Sequence, residues 1–317
     1  MNERALRVLE FNKIREMLAS YALSSAGKEK CLALKPEKAL ADVNRALDET
    51  EEAVAALTYL GGHPLIGFED VSEYLALAEK GSTLSPKALL LVADLLRASR
   101  AARNNLVTDR ENTPIITAVA SRLQPLRTLE NDITESILSE EEIADQASST
   151  LADIRRHIRG ANDRIREKLN AMAHGAAYSK YLMESIVTVR DGRYVLPVKQ
   201  EYRQNVPGLV HDQSATGATL FIEPLAVVEM GNELKEWRMK ERAEIDRILA
   251  ALSQQVAGSS GLIAQNLSIL QHLDFVFAKG MLARELECVR PKMNEAGVIN
   301  LIRVRHPLIN REKVVPC

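Results

Sequence analysis

The sequence predicts a mainly α-helical protein. A helical bundle gives rise to a long antiparallel helical arm, the arm carries a small antiparallel β tip, and a further strand lies near the C-terminus. Three observations predict this. Apolar residues recur at three- and four-residue spacing through most of the chain. Residues 186–224 switch abruptly to the period and composition of strands. Aromatic residues make up only 4% of the chain, which suits cores of Leu, Ile and Ala better than a β-sandwich.

Residues 1–130 read as the bundle. Leu6, Leu9, Ile14 and Leu18 share one face of a first helix, and Pro36 closes a second after Leu32 and Leu34. Leu40, Val43, Leu47, Val54 and Leu57 follow heptad-like spacing up to Gly61-Gly62. Ser85-Pro86 is a start signal, with Ser as N-cap and Pro in the first turn. The helix after it, KALLLVADLLRASRAARN, is apolar nearly all round in its early part and is expected deep in the bundle.

Residues 131–257 read as the arm and its tip. Ser139-Glu-Glu-Glu142 has the form of a capping box, opening a helix that lasts to about Met172. Its seam is Leu151, Ile154, Ile158, Ala161, Ile165 and Leu169, narrow enough for a coiled-coil arm reaching roughly 50 Å. A returning helix from Val228 to Val256 carries the seam Leu234, Trp237, Ile245, Ile248, Leu252 and Val256, with a polar middle, RMKERAE. Two long helices joined through a small sheet imply an antiparallel hairpin. Gly258-Ser-Ser-Gly261 breaks the return helix, and residues 258–296 resume helix through Leu286. Within residues 297–317, Val298-Ile-Asn-Leu-Ile-Arg-Val is strand-like and reads as the edge of another domain.

The tip is the most specific local signal. Ile186-Val-Thr-Val-Arg and Arg193-Tyr-Val-Leu-Pro flank Asp191-Gly192, a pair suited to the positive φ values of a two-residue hairpin turn. That register sets Arg190 opposite Arg193. Ser214-Ala-Thr-Gly-Ala-Thr219 lacks the pattern of a phosphate loop and precedes a strand, so it reads as a strand-connecting turn whose hydroxyls can meet a sugar-phosphate backbone.

Charge is uneven. The formal net charge is −2, which excludes a wholly basic nucleic-acid binder. Residues 151–211 nevertheless hold eleven Lys or Arg against six Asp or Glu, while residues 37–57 hold six acids against two bases. The candidate phosphate contacts are Arg190, Arg193, Lys199 and Arg203 on the tip, with Arg155, Arg159 and Arg166 on the outgoing helix. The opposing reading of the helix is a solvated coiled-coil face. On that reading the whole arm is a dimerisation or spacer device.

Other chemistries lack residues. Cys31, Cys288 and Cys317 are far apart and read as reduced thiols of a cytoplasmic protein. The six histidines show no metal-ligand spacing, and the adjacent His211 and Asp212 point to opposite faces of a strand. There is no nucleophile–base pair, carboxylate dyad or nucleotide cradle, so no catalysis by this chain alone is expected. No run approaches about 20 apolar residues, so no membrane span is expected.

Three segments carry a family resemblance. TVRDGRYVLPVKQEYRQNVPGLVHDQSATGATLFIEP (residues 188–224) resembles the clamp of the MutS-two family, the second bacterial MutS paralogue. LEFNKIREMLASYALSSAGKE resembles that family's amino terminus, and RVRHPLI resembles the entry to its ABC-type ATPase domain. The resemblance implies that residues 1–130 and 258–296 form a lever, that residues 131–257 form a clamp, and that residues 297–317 open the ATPase domain. It sets Arg305, His306 and Pro307 near the edge of a nucleotide site. It implies ATP and Mg in the full-length protein, with the Walker motifs and a Smr nuclease domain beyond residue 317, and no cofactor in this chain. The implied partners are branched or double-stranded DNA, or the rRNA of collided ribosomes, and a second copy in a homodimer.

Overall fold

A computed structural model of the chain describes residues 3–108, 111–309 and 312–315; Cys317 lies outside them. Among the described residues are eleven α-helices and one four-stranded antiparallel sheet. They fall into two compact units, Met1–Thr134 with Ala250–Cys317, and Glu135–Leu249.

The chain begins with two short helices, α1 (Glu3–Val8) and α2 (Phe11–Ala19), where the periodicity predicts one. Glu10 stands between them in the left-handed region at φ 52°, and its carbonyl accepts from the Lys13 N–H. The break leaves Leu9 61% exposed, so it does not share the buried face that Leu18 occupies. Next come α3 (Ser25–Leu32) and α4 (Leu40–Leu60), which stops at Gly61 with φ 68°, the left-handed stop glycine favours. After the short α5 (Ser72–Glu79), α6 (Pro86–Leu106) starts as its cap predicts: Ser85 Oγ accepts from the Ala88 N–H at 3.3 Å. Ten of its residues are buried. Then follow α7 (Pro114–Ser121) and α8 (Arg127–Ser136).

Residues 139–142 open no helix. Ile137 and Ile143 pair across a tight turn, and Ser139 and Glu142 exchange backbone hydrogen bonds within it. The two buried isoleucines win over the local capping pattern. A 3-10 turn at Asp145–Ala147 follows, and α9 runs Ser149–His174, shorter than expected, with Ser148 as its cap. The sheet comprises β1 (Thr188–Arg190), β2 (Arg193–Lys199), β3 (Gly208–Gln213) and β4 (Thr219–Pro224), in the order β1-β2-β4-β3. The return helix α10 covers Leu225–Gly258, and α11 covers Ser260–Glu285.

In the first unit α11 is the central element, with twelve buried residues. It meets α4 at Gly280, where a Cβ would lie 2.8 Å from the Ala53 Cβ, so only glycine allows this approach. Its buried polar groups are all engaged. The Asp274 carboxylate accepts from the N–H groups of Leu23 and Ser24, each at 2.9 Å, and from Ser24 Oγ at 2.6 Å. Asn266 exchanges two bonds of 2.8 Å with the Gln124 backbone. On α4, buried Glu52 accepts the first free N–H groups of α7, from Ile115 and Ile116.

The core of the second unit joins α9, the sheet and α10. Ala161, Ile165, Leu169 and Ala173 pack with Tyr194, Leu196, Val198, Ile222, Val227 and Leu234. Within this unit α9 and α10 are antiparallel, because contacts pair rising numbers with falling ones: Ser148 with Glu244, Arg155 with Glu241, His157 with Trp237, Arg164 with Glu233.

The strand expected at Val298–Val304 is absent from the described residues. Beyond α11 the backbone is irregular, and Ile299 and Ile302 are 85% and 78% exposed. A strand is stabilised by its ladder, and no described segment pairs with this one.

Candidate nucleic-acid interface

The hairpin forms in the expected register, Arg190 opposite Arg193, with Asp191 and Gly192 at φ 46° and 74°. The surroundings of the two arginines were not legible locally. Arg190 Nε lies 3.1 Å from Asp212 Oδ2, and the guanidinium sits 4.1 Å from the Phe221 ring centroid. Arg193 faces inward. Its Nη1 is 3.2 Å from Glu223 Oε1, and its Nη2 donates to Asn232 Oδ1 at 2.7 Å.

Glu223 is 1% exposed, and its other oxygen is 2.7 Å from His211 Nε2. A β-bulge between Val210 and Asp212 lies at this point of β3, where His211 meets Glu223 and Asp212 meets Arg190. The ion pair presses on Gly231 of α10, where a Cβ would fall 2.5 Å from Glu223 Oε1 and 2.7 Å from Arg193 Nη1. A buried carboxylate is costly unless paired and hydrogen-bonded, so Arg193 serves the interior of the unit.

The arginines of α9 are also held. Arg155 reaches Glu241 at 2.7 Å, Asp145 at 2.6 Å and the Ile143 carbonyl at 2.7 Å. Arg159 contacts Asp145 at 3.2 Å, Arg164 contacts Glu233 at 3.3 Å, and Arg156 pairs with Asp153. The Arg155 hydrogen bond holds the Asp145 carboxyl below its ordinary pKa. Arg166 lies over the Tyr194 ring at 5.6 Å. Carboxylates of α10 thus meet two of the arginines counted along residues 151–211, Arg155 and Arg164, and Asp145 and Asp153 meet Arg159 and Arg156. Trp237 packs as expected, stacked on His157 at 4.3 Å and 3°.

Cations remain available at the end of the sheet opposite the Asp191–Gly192 turn. Lys199 closes β2 across from Thr219, and its Nζ donates to the Lys180 carbonyl at 3.4 Å. Arg203, on the crossing from β2 to β3, reaches toward the other end of β3 and donates to the Gly208 carbonyl at 3.3 Å. Among the described residues neither Lys180, Lys199 nor Arg203 pairs with a carboxylate. Beside Lys199, residues 214–218 join β3 to β4 as a turn. Gly217 has φ 76°, and Ser214 Oγ accepts from the Thr219 N–H at 3.0 Å. A second set, Lys235, Arg238 and Arg242 on α10, escaped the sequence reading, which grouped the last two as a polar middle. Their three- and four-residue spacing was the available signal.

Arg305, His306 and Pro307 lie in the irregular segment beyond α11. Arg305 pairs with Glu287 at 2.9 Å, and His306 Nδ1 accepts from the Leu308 N–H within a local turn. Among the described residues, no group of three or more His, Cys, Asp and Glu is placed to hold a metal ion. The Cys31 thiol is buried, which pushes its pKa up to about 11 and makes it a poor nucleophile. No helix among the described residues is long and apolar enough to cross a membrane.

No protein-family model matches the chain. Curated relatives do. The protein named Endonuclease MutS2 of Clostridium botulinum (strain Eklund 17B / Type B) is 45% identical over 318 residues, 100% of this chain and 40% of that protein. Its namesakes of Acetivibrio thermocellus and Clostridium perfringens (strain SM101 / Type A) are 46% and 47% identical, over 100% and 99% of this chain and again 40% of theirs. The chain therefore spans about two fifths of the length of these relatives.

Proposed function

We propose that this chain, which belongs to the MutS2 family along its full length, is a lever and clamp that holds a nucleic-acid backbone without reading its sequence. The unit Glu135–Leu249 is the clamp, and the helical unit is the lever. One observation carries this reading: Lys180 and Lys199 keep their charges free of carboxylates beside a turn lined by the hydroxyls of Ser214, Thr216 and Thr219, with Arg203, also free of carboxylates, on the crossing from β2 to β3. Such a surface suits phosphate and sugar contacts, which position a protein on a strand but carry no base information.

In the longer protein, ATP hydrolysis with Mg2+ would move paired levers of a homodimer and so open or close the clamps. The target would be branched DNA, in suppressing recombination, or ribosomal RNA, in splitting stalled ribosomes. We assign the nuclease activity named for the relatives to portions outside the stretch matched here.

A second reading has its own support. The ion pairs between α9 and α10 stiffen that pair as a spacer or dimerisation arm would require. Reversing charge with Lys199→Glu and Arg203→Glu separates the two. On the clamp reading, affinity for a short duplex falls, and the slope of log K against log salt shrinks by about 1 per lost contact, while oligomeric state is unchanged. Dissociated oligomers with intact binding would favour the spacer. A wild-type chain that binds no duplex even at low salt would refute the clamp.

A further inference from the structure

We propose that a second phosphate-binding groove lies at the other end of the same sheet, between the Asp191–Gly192 turn and α10, and that it takes successive phosphates of one nucleic-acid strand. The proposal rests on the clamp reading and adds a site to it. The groove, of about 520 Å³, is lined by Gly192, Lys235, Arg238 and Arg242 above the buried Leu234.

Its three cations are available in a way the arginines of α9 are not. Lys235, Arg238 and Arg242 are exposed, and among the described residues none pairs with a carboxylate. Among the described residues Arg238 makes one long hydrogen bond, from its Nη1 to the Gly192 backbone carbonyl at 3.4 Å. Lys235 and Arg242, seven positions apart on one helix, share nearly the same azimuth about 10 Å apart, with Arg238 between them. Successive phosphates of one strand advance by about 3.4 Å along the duplex axis, so a stripe of this length reaches more than one of them.

The groove wall is preset. Arg193 is anchored by Glu223 and Asn232, and Gly192 with φ 74° places the turn backbone against α10. Met239 and Ala243 add an apolar lining that suits a sugar. Two carboxylates also line the groove, Asp191 on the turn and Asp246 one helical turn beyond Arg242. Asp246 bounds the positive stripe beyond Arg242, and Asp191, on the turn that meets Arg238, opposes an anion on the turn side of the groove.

The test uses the full chain carrying Lys235→Gln, Arg238→Gln and Arg242→Gln, with fluorescently labelled duplex DNA and duplex RNA of one sequence as probes. Binding is followed by anisotropy over a salt series. Loss of three contacts should reduce the slope of log K against log salt by about 2 to 3 and weaken binding at low salt, with an unchanged melting curve. Loss with both probes assigns a shared backbone contact, and loss with one assigns that nucleic acid. An unchanged slope with both probes would overturn the groove. Should the triple variant unfold, the exposed single changes Lys235→Gln and Arg242→Gln decide by the same readout, each expected to lower the slope by about 1. If Lys199→Glu with Arg203→Glu abolishes binding while the groove variants leave it intact, the groove fails and the clamp reading stands. No binding by the unaltered chain overturns both.

Discussion

Removing the side chain of Arg193 leaves the Glu223 carboxylate, 1% exposed, with His211 as its remaining side-chain partner. Breaking a buried pair by deleting one member leaves a charge that the interior cannot solvate. Arg193→Ala should therefore lower the unfolding free energy by about 2–4 kcal/mol in urea denaturation, whereas Lys199→Ala should stay within about 0.5 kcal/mol. Equal stability of the two variants would contradict the assignment of Arg193 to the interior. The contrast also marks what was legible in the residues. The Asp191-Gly192 turn is a local signal, so the register that sets Arg190 opposite Arg193 could be read directly. Glu223 lies thirty residues away, and a glycine on the next helix makes room for the pair. No periodicity encodes that meeting, so two adjacent arginines looked equally free.

At the scale of elements, Glu244 of α10 ties the helix pair to its start. Its carboxylate accepts from Ser148 Oγ, the cap of α9, at 2.6 Å and from both Arg247 groups at 2.7 and 2.8 Å. The Arg247 hydrogen bonds first, and Ser148 second, pull its pKa down to about 2 from an ordinary 4.5. A folded-state pKa below the unfolded one means that the unfolded chain takes up the proton first as pH falls. The contribution is therefore complete above pH 4.5 and is lost progressively down to about pH 2. Glu244→Gln should remove that part of the acid dependence: its melting temperature should fall less than that of the unaltered chain between these limits. Parallel curves would show that Glu244 does not couple folding to protons. The long helices themselves were legible, because α6, α9, α10 and α11 carry sustained apolar periodicity. The short elements were not. Nothing in the first twenty residues announces a left-handed Glu10, and α5, α7 and α8 are too brief for periodicity to distinguish them from loop. The Ser139 capping pattern failed for the complementary reason, that two buried isoleucines close a turn across it.

At the scale of the whole molecule, the two units differ in how the chain builds them. The second draws its core from one continuous stretch, from Ala161 on α9 to Leu234 on α10. The first cannot be completed by its leading segment. Asp274 holds the Leu23–Ser24 turn, Asn266 holds Gln124, and Ser253 Oγ accepts from the Leu84 N–H at 2.8 Å, each across more than a hundred residues. Charge follows a similar logic. The excess along residues 151–211 is visible in the sequence, but Arg155 and Arg164 meet their α10 carboxylates only when that helix returns beside α9. The availability of a cation is thus a property of the folded unit. A fragment of residues 135–249 should accordingly fold alone, with dispersed amide signals and a cooperative melt, and should keep the salt-dependent duplex binding of the full chain. Residues 1–134 alone should not, because the twelve buried residues of α11 would be missing from their core. If instead 135–249 is molten while 1–134 folds, the core of the second unit depends on more than its own stretch, and the clamp could not act as a separable grip.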